Sequence, residues 1–104
     1  MLFRSNILFE EPLFSEARKA ASVVDRVADE LGCFSSQVAL AWLLRTPGVT
    51  APIVGVSRWQ QWEANLGALD VDLTDEQYGD ISAAGMAVWE MLPEDPVMWG
   101  YRPQ

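Results

Sequence analysis

The chain has no histidine, one cysteine and one lysine among its 104 residues. A single thiol, Cys33, cannot form an internal disulfide, and without histidine it leaves no zinc or iron site of the usual ligand sets. Positive charge is also scarce. Seven Lys and Arg stand against fifteen Asp and Glu, giving a net charge of −8, so nucleic acid and anionic membrane surfaces are repelled on average. The apolar opening MLFRSNILF is broken by Arg4 and Asn6 and stops at Glu10, Glu11 and Pro12. It is too short and wrongly flanked for a signal peptide or a membrane span. These absences lead to the expectation of a cytoplasmic protein with no nucleic-acid, membrane or metal partner.

What remains is globular in character: 50% hydrophobic residues and a mean hydropathy of +0.05 suit one packed domain. Five Trp and four Phe are heavy cargo for a core of this size. Only about two thirds of the unfolded surface can be buried by so short a chain, so a missing neighbour would be felt in its stability.

Helical periodicity dominates the pattern. From Ser15, taken as an N-cap, the apolar residues Ala20, Val23, Val24, Val27, Ala28 and Leu31 recur at helical spacing, and Gly32 offers a stop. The stretch SSQVALAWLLR is apolar nearly all round and predicts a mostly buried helix ending before Pro47 and Gly48. APIVG, residues 51–55, predicts one short strand, followed by Ser57 as the cap of a helix over Arg58–Leu69. Thr74 and Gln77 have capping-box spacing and predict a last helix from about Asp75 to Ala84, with an irregular tail over 85–104. A lone strand cannot satisfy its ladder hydrogen bonds, which implies partner strands elsewhere.

The junction at residues 55–58 carries the chemistry. The first N–H groups of a helix lack intrahelical partners and sit at the positive end of the macrodipole, so an anion is stabilised there. Gly55 and Val56 lead into the turn, Ser57 adds a hydroxyl and Arg58 a guanidinium able to grip a phosphate bidentately. Gln61 and Asn65 follow at i, i+4 spacing, placing two amides on one helical face. Amides offer a donor and an acceptor together, as a purine edge requires. The plainer alternative is that Arg58 is a solvated residue and the amides are the wet side of an amphipathic helix.

Other candidates are weaker. Cys33, beside Gly32 and Phe34 and without a histidine base, reads as a small filler at a helix junction. Asp70, Asp72, Asp75 and Glu76 read as a solvated loop and a favourable charge at a helix start. Trp89, Met91, Met98, Trp99 and Tyr101 could cover a ligand, dock on a partner or close the core.

The run ELGCFSSQVALAWLLRTPGVTAPIVGVSRWQQWEANLGALDVDLTDEQ resembles the C-terminal portion of aldo-keto reductases, over about Val23 to Ala84. These are NADP(H)-dependent carbonyl oxidoreductases built on an eight-stranded β/α barrel. The resemblance implies that the chain is mostly α with one short strand, a partial domain over residues 1–104 from the C-terminal end of such a barrel. Ile53 and Val54 would form the last barrel strand. Gly55, Val56, Ser57 and Arg58 would form the loop for the adenosine 2′-phosphate of NADP, and Gln61 and Asn65 would face the adenine, where barrels of this kind commonly bind phosphate. Three positions depart from the family pattern: Ala64 replaces a common Glu, Phe34 a Ser or Thr cap, and Trp59 a usual Pro.

The family's catalytic Tyr, Lys, Asp and His come from earlier strands. With no histidine and only Lys19, on an expected outer helix, that group cannot be assembled here, and neither Tyr78 nor Tyr101 matches the catalytic tyrosine. The expectation is an NADP(H)-binding segment that is inactive alone, partnered by the missing barrel portion. The alternative is a small helical module that associates with a partner or with itself through exposed apolar surface.

Overall fold

Helix α1, Leu13–Leu31, presents Val27 and Ala28 to the interior, the inward positions of its periodic pattern. The computed structural model describes residues 10–92. Gly32 ends α1 in the left-handed region at φ 67°. There Cys33 N–H donates to Ala28 C=O and Gly32 N–H to Asp29 C=O, closing two of the orphan carbonyls of the last turn. At the other end the helix begins before Ser15, with Pro12 at the cap position. Ser15 instead donates its hydroxyl to the Glu11 carboxylate at 2.7 and 2.9 Å. The acidic side chain four residues earlier thus takes the acceptor role expected of the serine.

Helix α2, Ser35–Arg45, packs against α1. Val38 and Ala41 are buried while Leu44 is exposed, so α2 shows an inner and an outer face rather than the burial all round that its composition suggests. Helix α3, Trp59–Leu66, is followed by a 3₁₀ turn over Gly67–Asp70. Helix α4, Asp75–Glu90, runs back along α1. Thr74 and Gln77 form the reciprocal cap at its start, Gln77 N–H donating to Thr74 Oγ1 and Thr74 N–H to Gln77 Oε1, both at 3.0 Å. The helix passes its expected end near Ala84 and takes in Gly85 and Val88, since no proline interrupts it before residue 93. Met98, Trp99 and Tyr101 lie outside the described residues.

The interior is small: Val27, Ala28, Val38, Ala41 and Leu73, with Val24, Cys33, Trp42, Val71, Tyr78 and Ile81 packed around them. Cys33 therefore takes the packing role its neighbours suggested. Polar ties cross this core. Trp42 Nε1 donates to Ser82 Oγ at 2.9 Å, and the Trp42 and Tyr78 rings stack with centroids 5.9 Å apart. Arg26 pairs with Asp80 at 2.7 Å; that hydrogen bond raises the guanidinium's already high proton affinity further.

The expected strand is absent. No β-strand occurs among the described residues, and 51–56 runs as an irregular connection. A strand needs a neighbour to exchange ladder hydrogen bonds, and no described segment donates to or accepts from the backbone of residues 51–56. The fold is helical, which corrects the expectation of a mixed fragment carrying one strand of a barrel. Ile53 shows the consequence, with a relative exposure of 103%. No described helix is long and apolar enough to cross a membrane.

Candidate functional site

Between α2 and α3 lies a cleft of about 490 Å³ walled by Ser36, Ala39 and Leu40 of α2, by Ala64, Gln61 and Asn65 of α3, and by Val54 and Gly55 at its edge. The i, i+4 spacing of Gln61 and Asn65 puts both residues on one face of α3, and that face borders the cleft. Three of the six residues singled out from the sequence, Gly55, Gln61 and Asn65, thus line one space. Val56, Ser57 and Arg58 are exposed and stand outside its lining. The space beside Gly55 is open: a side chain there would meet nothing within 4 Å.

The turn before α3 is organised around one oxygen. Arg58, not Ser57, occupies the cap position, with extended backbone at φ −139° and ψ 148°. Gln61 Oε1 accepts from Ser57 N–H at 2.8 Å, from Ser57 Oγ at 3.2 Å and from Arg58 N–H at 3.3 Å. Three donors that converge on a single carbonyl oxygen form a receptor for an oxygen acceptor, and in this structure the acceptor is the chain's own amide. The reciprocal half of a capping box is missing, because the Arg58 side chain makes no cap. The amides of Trp59 and Gln60 open the helix and make no hydrogen bond to a described residue.

Charge at this turn is local. Among the described residues, Lys19, Arg26 and Arg45 pair with Glu16, Asp80 and Asp75, and Arg18 lies 5.7 Å from the Phe14 ring centroid. The Arg58 guanidinium alone has no such partner among them. The carboxylate of α3, Glu63, is instead engaged by Trp59 Nε1 at 2.6 Å. An exposed cation left free beside a nest of donors suits an anionic group.

Comparison with known proteins decides the family. The sequence model of the aldo/keto reductase family matches residues 3–85. The chain belongs to the aldo/keto reductase family. It is 33% identical over 75 residues to an uncharacterized oxidoreductase of Schizosaccharomyces pombe, a stretch that covers 71% of this chain and 24% of that protein. The chain thus spans about a quarter of that relative's length.

Sequence reasoning did not find Ser36, Ala39 and Leu40 as the opposite wall of the cleft. These residues lie at helical spacing within an apolar stretch, and nothing in that stretch marks which side faces α3. Gln37 was missed as well. Its Oε1 accepts from Phe34 N–H at 2.9 Å while its Nε2 donates to Ala64 C=O at 2.8 Å. A glutamine three residues after the cap position recurs at Gln37, Gln61 and Gln77, so the signal was available at all three helix starts.

Proposed function

We propose that this chain is an NADP(H)-holding segment of an aldo/keto reductase-type oxidoreductase, that it seats the adenosine end of the cofactor, and that it does not turn over substrate by itself. Ser57 and Arg58 take the 2′-phosphate, with Gly55 and Val56 leading the backbone past it, and Gln61 and Asn65 meet the adenine edge across the cleft from Ser36. The observation that carries this reading is the convergence of Ser57 N–H, Ser57 Oγ and Arg58 N–H on one oxygen beside an unpaired guanidinium. The donor set fits a phosphate oxygen. Gln61 must yield its acceptor position as the anion enters, which leaves its amide free for the base.

When bound, the nicotinamide supplies the hydride for carbonyl reduction in this family. The residues of this chain bind and orient; the 2′-phosphate reading of Arg58 favours NADP over NAD. Calorimetric titration of the full chain with NADP and with NAD, repeated with Arg58→Ala, tests it. Binding of NADP that is tighter than NAD and lost with Arg58→Ala supports the reading. Absence of binding to a folded chain refutes it.

A second reading is self-association, favoured by the exposure of Ile53, Trp59 and Leu69. A concentration-dependent dimer in sedimentation, without nucleotide binding, would establish it in place of the first.

A further inference from the structure

The side chain of Gln37 makes two bonds that belong to two different elements. Its oxygen accepts from Phe34 N–H at 2.9 Å and so caps α2, whose cap residue has no polar side chain of its own. Its nitrogen donates to Ala64 C=O at 2.8 Å, in the partly buried ground between α2 and α3. Ala64 stands between Gln61 and Asn65 in sequence and lines the same cleft. One amide thus fixes the last turn of α3 to the first turn of α2, whose Ser36 forms the facing wall.

Gly67 shows how close this approach is. A Cβ built there would collide with Gln37 Nε2, so the α3 exit passes directly over the amide. Few other bonds tie α3 to the body: its remaining side-chain bonds, Gln61 to Ser57 and Arg58 and Trp59 to Glu63, stay within its own segment. Leu66 and Trp62 are exposed, and α3 has no buried residue. An eight-residue helix with so little burial depends on its cross-ties for placement.

We infer that Gln37 is the positioning residue of the cleft: it sets the spacing between the α2 wall and the amides of Gln61 and Asn65. That the space receives the adenine of a nucleotide rests on the function proposed above. Gln37 touches no ligand in this arrangement. It acts through Ala64, and it leaves the Ser57 and Arg58 seat, held by Gln61, to its own bonds.

The discriminating variant is Gln37→Glu. Its ionised carboxylate still accepts from Phe34 N–H but cannot donate to Ala64 C=O, and it sets two acceptors against each other. Protonated, the carboxyl group matches the amide in shape and donates again. Adenosine 2′-monophosphate spans seat and cleft, whereas inorganic phosphate occupies the seat alone, and both are titrated by NMR into the full chain.

At pH 7, Gln37→Glu is expected to bind adenosine 2′-monophosphate about tenfold more weakly than wild type, the cost of one unmatched acceptor. Inorganic phosphate is expected to bind both proteins alike. The deficit relative to wild type at the same pH should shrink near pH 4.5, as the carboxyl group takes up its proton. Equal loss for both ligands, or a deficit indifferent to pH, overturns the inference.

Hydrogen exchange decides the matter without any nucleotide. In Gln37→Glu at pH 7, amides of residues 59–66 should exchange several-fold faster while those of 13–31 keep their protection. Unchanged exchange in 59–66 overturns the inference even where nucleotide binds. Failure of wild type to bind any nucleotide refutes the proposed function alone, and the exchange result then stands by itself. Gln37→Met, which removes both bonds but keeps the length, replaces Gln37→Glu should the latter not fold, with the same exchange outcomes expected.

Discussion

Gln61 Oε1 lies 2.8 Å from the backbone nitrogen of Ser57, so the chain sets its own acceptor on amides that an anion requires. Capping and the proposed anion binding therefore call on the same donors. Replacing the amide with a carboxylate, Gln61→Glu, strengthens the cap, because the acceptor gains charge at the positive end of α3. An increase in stability of roughly 0.5–1 kcal/mol is expected at neutral pH, read from the midpoint of urea unfolding. The donors depress the folded-state carboxyl pKa below the unfolded value of about 4.3, so the gain is present above that pH and is lost as pH falls through the folded pKa. The same carboxylate repels phosphate, and binding of NADP should fall more than tenfold by calorimetry, since a like charge then occupies the seat. A variant that is more stable yet binds as wild type would separate the two roles.

Phe34 holds the cap position of α2 with φ −84° and ψ 148°, an ordinary capping geometry, yet offers no acceptor. Its ring is 66% exposed, so little apolar burial is forfeited by changing it. Phe34→Ser places a hydroxyl within reach of the first N–H groups of α2, among them Gln37 N–H, which already donates to Phe34 C=O at 3.0 Å, and so completes the box that Gln37 half supplies. Stability should rise by about 1 kcal/mol, visible as a shift in thermal midpoint. A fall instead would show that the phenyl ring packs on something its exposure does not reveal.

Local signals in the sequence were sound where one segment decides its own conformation. Gly32 ends α1, and Thr74 with Gln77 starts α4, because a left-handed turn and a capping box are built from neighbouring residues. The start of α1 was misread because Ser15 has a carboxylate four residues behind it to bond to. The strand at residues 51–55 failed for a different reason. Its composition favours extension, but a strand exists only by pairing, and pairing is a property of chain segments far away in sequence. The candidate site divides along the same line: Gln61 and Asn65 share a face by helical period alone, whereas Ser36 joins them through the packing of α2 on α3.

Tyr78 joins α2 to α4 by its ring rather than its hydroxyl. The Arg45 guanidinium carbon lies 4.5 Å from the ring centroid, and Trp42 stacks on it, while the hydroxyl meets Thr46 Oγ1 only at a long 3.3 Å. Arg45 is held as well by Leu73 C=O at 2.9 Å and by the Asp75 carboxylate. Tyr78→Phe should therefore cost under about 1 kcal/mol, and Tyr78→Ala about 3 kcal/mol through loss of packed ring volume. Chemical denaturation of the pair measures both. Near-equal losses would assign the work to the hydroxyl.

Three glycines separate steric need from chance. Gly79 and Gly85 lie inside α4, neither has positive φ, and a Cβ at either meets nothing within 4 Å. Alanine at each should stabilise by roughly 0.5–1 kcal/mol, because the unfolded chain loses freedom that the helix never used. Gly67 is the opposite case, since its added methyl group meets the Gln37 amide. That amide cannot retreat without leaving Ala64 C=O or Phe34 N–H unpaired, so Gly67→Ala should destabilise by about 1–3 kcal/mol. Combining Gly67→Ala with Gln37→Ala removes the obstruction along with the bonds, and the double variant should be no less stable than Gln37→Ala alone. If the two losses simply add in the denaturation cycle, Gly67 acts through something other than contact with Gln37.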